Sequence, residues 1–140
     1  MEFENFQEED LSMNPGKLID SDVFIDFLRG KPDAVDFFKK VFPDINISVI
    51  TTGELFAGVR DGPERIKLEE ALNTCHQIEV TPDIAKMAGL FKRDFEKSHQ
   101  ITLPDALIAA TAKELGFSLV TLNRRHFPML TDIVIPYQKT

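Results

Sequence analysis

From Lys17 onward, short apolar runs alternate with stretches of helical period, and no other feature narrows the fold so far. Strands that follow one another through helices lie parallel, and the crossover helices must cover the sheet they span. The first strand is expected at about 17–20. A helix follows over about 21–29, stopped by Gly30 and Pro32, and a second over about 33–42 presents Val35, Phe38 and Phe42. Ile45, Ile47 and Val49 alternate as strand 2. Thr51 opens a helix carrying Leu55, Phe56 and Val59. Beyond Gly62-Pro63 another helix shows Leu68, Ala71, Leu72 and Cys75 at spacings i, i+3, i+4 and i+7. Ile78 and Val80 mark strand 3, and Pro82 starts a helix striped by Ile84, Met87, Ala88, Phe91 and Phe95. Residues 104–115 are nearly all apolar and predict a central, buried helix that stops at Gly116. FSLVT follows as strand 4, and TDIVIP near the end reads as an edge strand, giving four to five strands.

Residues 1–15 show no such period. They are polar and acidic and end in Asn-Pro-Gly, which predicts a mobile or loosely docked extension, with Met13 a candidate natural start. The remainder, 16–140, is expected to form one domain, since 140 residues at 43% hydrophobic suffice for a single core. Cys75 is the only cysteine, which excludes an intrachain disulfide or a thiolate metal cage and predicts a packed thiol in a reducing cytoplasm. No apolar run approaches membrane-spanning length, and MEFENFQEED lacks the basic and apolar regions of a secretory signal. A soluble, cytoplasmic protein is the expectation.

The net charge of −7 argues against nucleic acid as a partner until its distribution is considered. Five of the 23 acids lie in residues 1–10, which carry no Lys or Arg, so the remaining body sets 18 acids against 16 bases. That balance does not exclude RNA, although no extended basic stripe is present. There is no internal repeat and no Gly-rich phosphate loop.

The isolated acids fall where strands hand over to helices. Asp20 and Asp22 follow strand 1, Glu54 follows strand 2, and Asp105 opens the buried helix, while Asn123 follows strand 4. In an open parallel sheet the crevice outside the carboxyl ends of the strands is the usual site, so these side chains are expected to meet there. Crowded carboxylates beside apolar surface are unfavourable unless paired, and a divalent cation would reverse that. Oxygen-only donors select Mg²⁺ or Mn²⁺ over zinc, and such a site suits phosphodiester hydrolysis, with one or two ions.

Each acid also has a plainer explanation. Thr51-Thr-Gly-Glu54 and Thr102-Leu-Pro-Asp105 both have the spacing of a capping box, in which the acid reaches back to the cap N–H. Asp22 would favour a helix N-terminus electrostatically, and Asn123 reads as a cap. His76, His99 and His126 have no ligand-spaced neighbours and read as surface or packing residues. Arg124 and Arg125 are ordinary solvated charges unless the crevice lies beside them, in which case they would hold phosphate. Capping accounts for each acid singly. It does not account for their gathering at one edge of the sheet.

Four segments carry a family likeness: LIDSDVFIDFLRG, ISVITTGELFAGV, ITLPDALIAATAKELGFSLVTLNRRHF and the closing DIVIP. Over roughly residues 17–136 their order and spacing resemble those of PIN-domain ribonucleases, in particular VapC-type toxins of type II toxin–antitoxin pairs. The resemblance implies a three-layer α/β/α PIN-like domain around a parallel sheet, and Mg²⁺- or Mn²⁺-dependent endoribonuclease action on tRNA or another structured RNA. Carried over by position, Asp20, Glu54 and Asp105 are the principal metal acids and catalytic residues. Asp22 and Asn123 support them, and His126 stands where many relatives have Asp or Glu, which puts a second metal in question. Arg29, Lys31, Arg124 and Arg125 are the expected RNA-phosphate contacts. The family also implies a homodimer and a small VapB-like antitoxin whose tail blocks the crevice. Phe24, Phe27, Phe37, Phe38 and Phe42 exceed one buried stripe and would furnish a groove for either, or simply a core.

Two rivals remain on sequence alone. LIDSDV also matches the opening Asp-x-Asp of haloacid-dehalogenase-type phosphatases, where the first Asp is a nucleophile. Those enzymes need a later acid pair after a strand, and TLNRRH stands there instead. The other rival is a catalytically silent PIN-like binding module, which would bind Mn²⁺ poorly and lose nothing when Asp105 becomes Asn.

Overall fold

Buried residues on both faces of the inner strands show how the sheet is covered. In the computed structural model, which describes residues 16–139, the expected extension over 1–15 lies outside the described residues. The strands are β1 (Lys17–Ile19), β2 (Asn46–Ser48), β3 (His76–Ile78), β4 (Ser118–Val120) and β5 (Ile133–Val134). They form one five-stranded sheet in the order β3-β2-β1-β4-β5, with every pair parallel. TDIVIP supplies the edge strand, as expected. The helices are α1 (Ser21–Leu28), α2 (Pro32–Val41), α3 (Val49–Ala57), α4 (Pro63–Leu72), α5 (Pro82–His99) and α6 (Leu103–Leu115).

Side chains of neighbouring residues leave a strand on opposite faces, and the two faces take different helices. Ile19, Ile45, Ile47 and Val120 pack with Val23 and Phe24 of α1, Phe38 of α2, Leu55 of α3, and Leu68 and Leu72 of α4. Leu18 and Leu119 turn the other way, onto Ile108, Ala109 and Ala112 of α6 and onto Phe127. Small residues along α6 let α5 approach closely, and Ile84 and Ala88 meet Ala106 and Ala110 in a third cluster. The α/β/α layering and the buried character of 104–115 are therefore as expected.

Three local expectations are corrected. β2 is not an alternating strand: Asn46 and Ser48 are as buried as Ile45 and Ile47, because a central parallel strand is covered twice. Val49 already belongs to α3, whose cap is Ser48, with its hydroxyl accepting from Ile50 N at 3.0 Å. Thr51 is thus an interior helical residue with a buried, unpartnered Oγ1, and the capping box with Glu54 does not form. Val80 lies beyond β3. The early phenylalanines are mainly core: Phe24 and Phe38 are buried, and Phe27 stacks on Phe38 at 4.1 Å. Phe42 alone of the five is largely exposed, at 58%, beside an apolar cavity of about 280 Å³ that also holds Cys75. The Cys75 thiol is partly buried against Ala71, as expected, and burial raises its pKa.

Candidate active site

The carboxyl end of the central strand is the origin of the acidic edge. Asp20 follows β1 directly and caps α1, its Oδ1 accepting from Ser21 N at 2.8 Å. Its other oxygen accepts from Thr121 Oγ1 at 2.8 Å, so a residue just past β4 holds a residue just past β1. Asp22, in the first turn of α1, accepts from Leu122 N at 3.0 Å and from its own neighbour Val23 N at 2.7 Å. β1 and β4 are adjacent and in register, and Asp20 N extends their ladder by donating to Val120 O.

Glu54 projects from α3 and Asp105 from the first turn of α6, and the two helices pack together. Asp105 does sit on a partial cap: its N–H donates to Thr102 Oγ1 at 3.2 Å. Its carboxylate, however, faces His126, with Oδ2 3.3 Å from Nδ1. His126 is an exposed residue, in keeping with a surface reading, and it also stands beside this acid. Asn123 is no side-chain cap: its Nδ2 lies 3.2 Å from His126 Nε2.

These acids disturb one another. Burial first, then the Asp22 charge, pushes the Asp20 carboxyl up to about 7, with Asp105 adding to the effect. Asp20 is only 7% exposed. Partial burial raises the pKa values of Glu54 and Asp105, and the proximity of Asp105 raises that of Glu54 further. Asp20, Glu54 and Asp105 therefore each feel another acid in poorly solvated surroundings, while Asp22 is raised by burial and eased by Lys139.

A donor set made wholly of oxygens in mutual repulsion fits a hard divalent cation. Among the described residues, no three His, Cys, Asp or Glu side chains are drawn into a ready-made cage.

The expected cations divide. Arg29 lines a cavity of about 460 Å³ between α1, α3 and α4, together with Glu54, Arg60 and Lys67. Lys31 is instead committed to the buried Asp26, 3.8 Å away. Arg124 and Arg125 lie in a 3-10 turn over Arg124–His126, and Arg125 shares a polar cavity with Asn123 and His126. Reasoning from the sequence missed Thr121, although a β-branched hydroxyl residue directly after an apolar strand was the available signal. It also missed Arg60 and Lys67, which nothing in their local pattern distinguishes from solvated charges.

The sequence matches the PIN domain family over residues 17–130. It is 39% identical over 125 residues to Ribonuclease VapC19 of Mycobacterium tuberculosis, covering 86% of this chain and 99% of that protein. Ribonuclease VapC10 of the same organism is 40% identical over 123 residues, covering 86% and 92%. Among solved structures, a toxin-antitoxin complex from Klebsiella pneumoniae superposes with a TM-score of 0.77 at 28% identity, over 89% of this chain and 100% of that one. VapBC2 from Rickettsia felis, bound to a DNA fragment from its promoter, shares the fold at a TM-score of 0.70 and 21% identity, over 84% and 95%.

Proposed function

Because the chain belongs to the PIN domain family, we propose that it is a metal-dependent endoribonuclease of the cytoplasm, the toxin of a toxin–antitoxin pair, cutting tRNA or another structured RNA. The ribonuclease names of relatives at about 40% identity support the reaction class. The observation that carries it to this chain is the mutual repulsion of Asp20, Asp22, Glu54 and Asp105 at the carboxyl end of a parallel sheet.

Asp20, Glu54 and Asp105 are the residues that would hold Mg²⁺ or Mn²⁺, with Asp22 and Asn123 in support. When bound, the ion supplies a polarised phosphoryl oxygen and a water of lowered pKa. Thr121 fixes the Asp20 carboxylate by hydrogen bond, and Leu122 N fixes Asp22, so neither turns away from its neighbours. His126 stands beside Asp105, with Nδ1 3.3 Å from Oδ2. Arg29 on one side and Arg125 on the other offer guanidinium groups to phosphates along the RNA, with Arg124 and Lys31 as weaker contributors. An antitoxin tail lying in the cavity of Ile25, Leu28 and Leu55 would reach Glu54 and meet Arg29. The phosphatase alternative is disfavoured because Thr121-Leu122-Asn123 takes the place of its second acid pair.

The test is cleavage of labelled single-stranded RNA and total tRNA with Mg²⁺ or Mn²⁺, beside EDTA and a folded Asp105→Asn protein. Cleavage that needs metal and disappears in the variant is expected. Silence of both proteins, together with no binding of Mn²⁺, would return the chain to the binding-module reading.

A further inference from the structure

The polar cavity beside Asp105 has a wider lining than the roles given above to Arg125, Asn123 and His126 account for. About 500 Å³ in volume, it is lined by Ser98, His99, Gln100, Asn123, Arg125 and His126, at the junction of the end of α5 with the turn after β4. That volume lies in the range of small-molecule sites, roughly 300–1,000 Å³, and admits one nucleotide rather than a duplex.

Its composition runs against that of the chain. In a protein with 23 acids and 16 bases, this cavity has no carboxylate in its lining, although Asp105 stands beside it through His126. Its walls offer an arginine, two amides, a hydroxyl and two imidazoles, a set of donors and flat rings suited to a phosphate and a base together. Two pairs pre-arrange the walls. Ser98 Oγ and His99 Nδ1 are 2.7 Å apart, and Asn123 Nδ2 lies 3.2 Å from His126 Nε2. Gln100 caps α5 in the left-handed conformation, at φ 53°, a position usually taken by Gly or Asn. His126 belongs to both places, since it lines the cavity and lies 3.3 Å from Asp105.

We propose that this cavity is the subsite for an unpaired nucleotide adjoining the phosphate that is cut. Arg125 takes that nucleotide's phosphate, His126 gives its base a ring to lie against, and the amides of Gln100 and Asn123 meet its edge. The assignment rests on the RNA-cleaving reading above and adds base preference at one flanking position. Sequence-specific RNA recognition works on unstacked bases laid on aromatic or guanidinium planes, which is the chemistry on offer here.

Binding and cleavage are read separately. Affinity for a short labelled single-stranded RNA is measured by fluorescence anisotropy on the full Asp105→Asn chain, which leaves the RNA intact. Base preference is read by sequencing the ends cut from a randomised RNA by the otherwise wild-type chain. Arg125→Gln with Gln100→Ala, both exposed positions, is expected to lower affinity about tenfold, and Gln100→Ala alone to flatten the preference at a single position beside the cut. Lys97→Gln, an equal loss of charge outside the cavity, is expected to change affinity less than about twofold.

The subsite is overturned if the double variant binds as tightly as its parent, if Lys97→Gln weakens binding equally, or if the Asp105→Asn protein binds no RNA. If the wild-type chain cuts nothing while the double variant still loses affinity, the subsite stands and the nuclease reading fails.

Discussion

Asp20 concentrates the tension of the acidic edge in one side chain. Its carboxyl ionises near 3.8 in an unfolded chain and at about 7 in the folded one. Between those values the folded state holds a proton that the unfolded state has lost, so stability of the metal-free protein falls as pH rises from about 4 to about 7. At roughly 1.4 kcal/mol per pH unit the loss reaches up to about 4 kcal/mol. Asp20→Asn keeps a helix cap and a partner for Thr121, so in EDTA at pH 8 it should unfold at a higher temperature than wild type, with a flatter pH profile. Mn²⁺ should raise the wild-type midpoint and leave that of the variant unmoved. Thermal unfolding across pH 4–8 measures both, and superimposable profiles would contradict the assignment. The acids themselves were legible because each breaks an apolar pattern just after a strand or at a helix start. Thr121 was not: its partner Asp20 lies 101 residues away, and a hydroxyl after a strand has many local uses.

At the scale of the element, two threonines with the same T-x-x-acid spacing behave differently. Thr102 caps α6, where Pro104 two residues on makes the start unambiguous. Thr51 does not cap α3, because β2 passes into the helix with no intervening loop and Ser48 takes the role three residues earlier. Ser48→Ala should therefore cost about 1 kcal/mol. Thr51→Val removes a buried, unpaired hydroxyl and should be neutral or stabilising by up to about 1 kcal/mol. Urea denaturation of the two variants gives the comparison, and the opposite ranking would restore a helix start at Thr51. Element identity was readable throughout from period and punctuation. Boundaries failed where a strand is buried on both faces, since alternation then carries no information about where it ends.

At the scale of the whole molecule, the C-terminal segment is fastened across α1. Tyr137 donates to Asp26 Oδ2 at 2.9 Å, while Lys139 and Lys31 approach Oδ1 at 3.6 and 3.8 Å, around a carboxylate only 1% exposed. Tyr137→Phe leaves a buried acceptor short of a donor and should destabilise the fold by about 1–3 kcal/mol, measured by chemical denaturation. An unchanged midpoint would mean that Asp26 is satisfied without it. Asp26 gave no warning in the sequence, where it reads as one more acid on a helix, because its partner is 111 residues distant. The sheet order was likewise implicit: alternation predicts parallel strands without saying that β1 lies between β2 and β4. That placement bears on synthesis. Among the described strands, the first is flanked by the fourth, and at roughly 5–20 residues per second Asp20 waits about 5–20 s for Thr121 to be polymerised. A nascent chain on the ribosome thus cannot close the Asp20–Thr121 contact until 101 further residues have been added, so the acidic edge is set in place late, by a step of synthesis rather than by local folding alone.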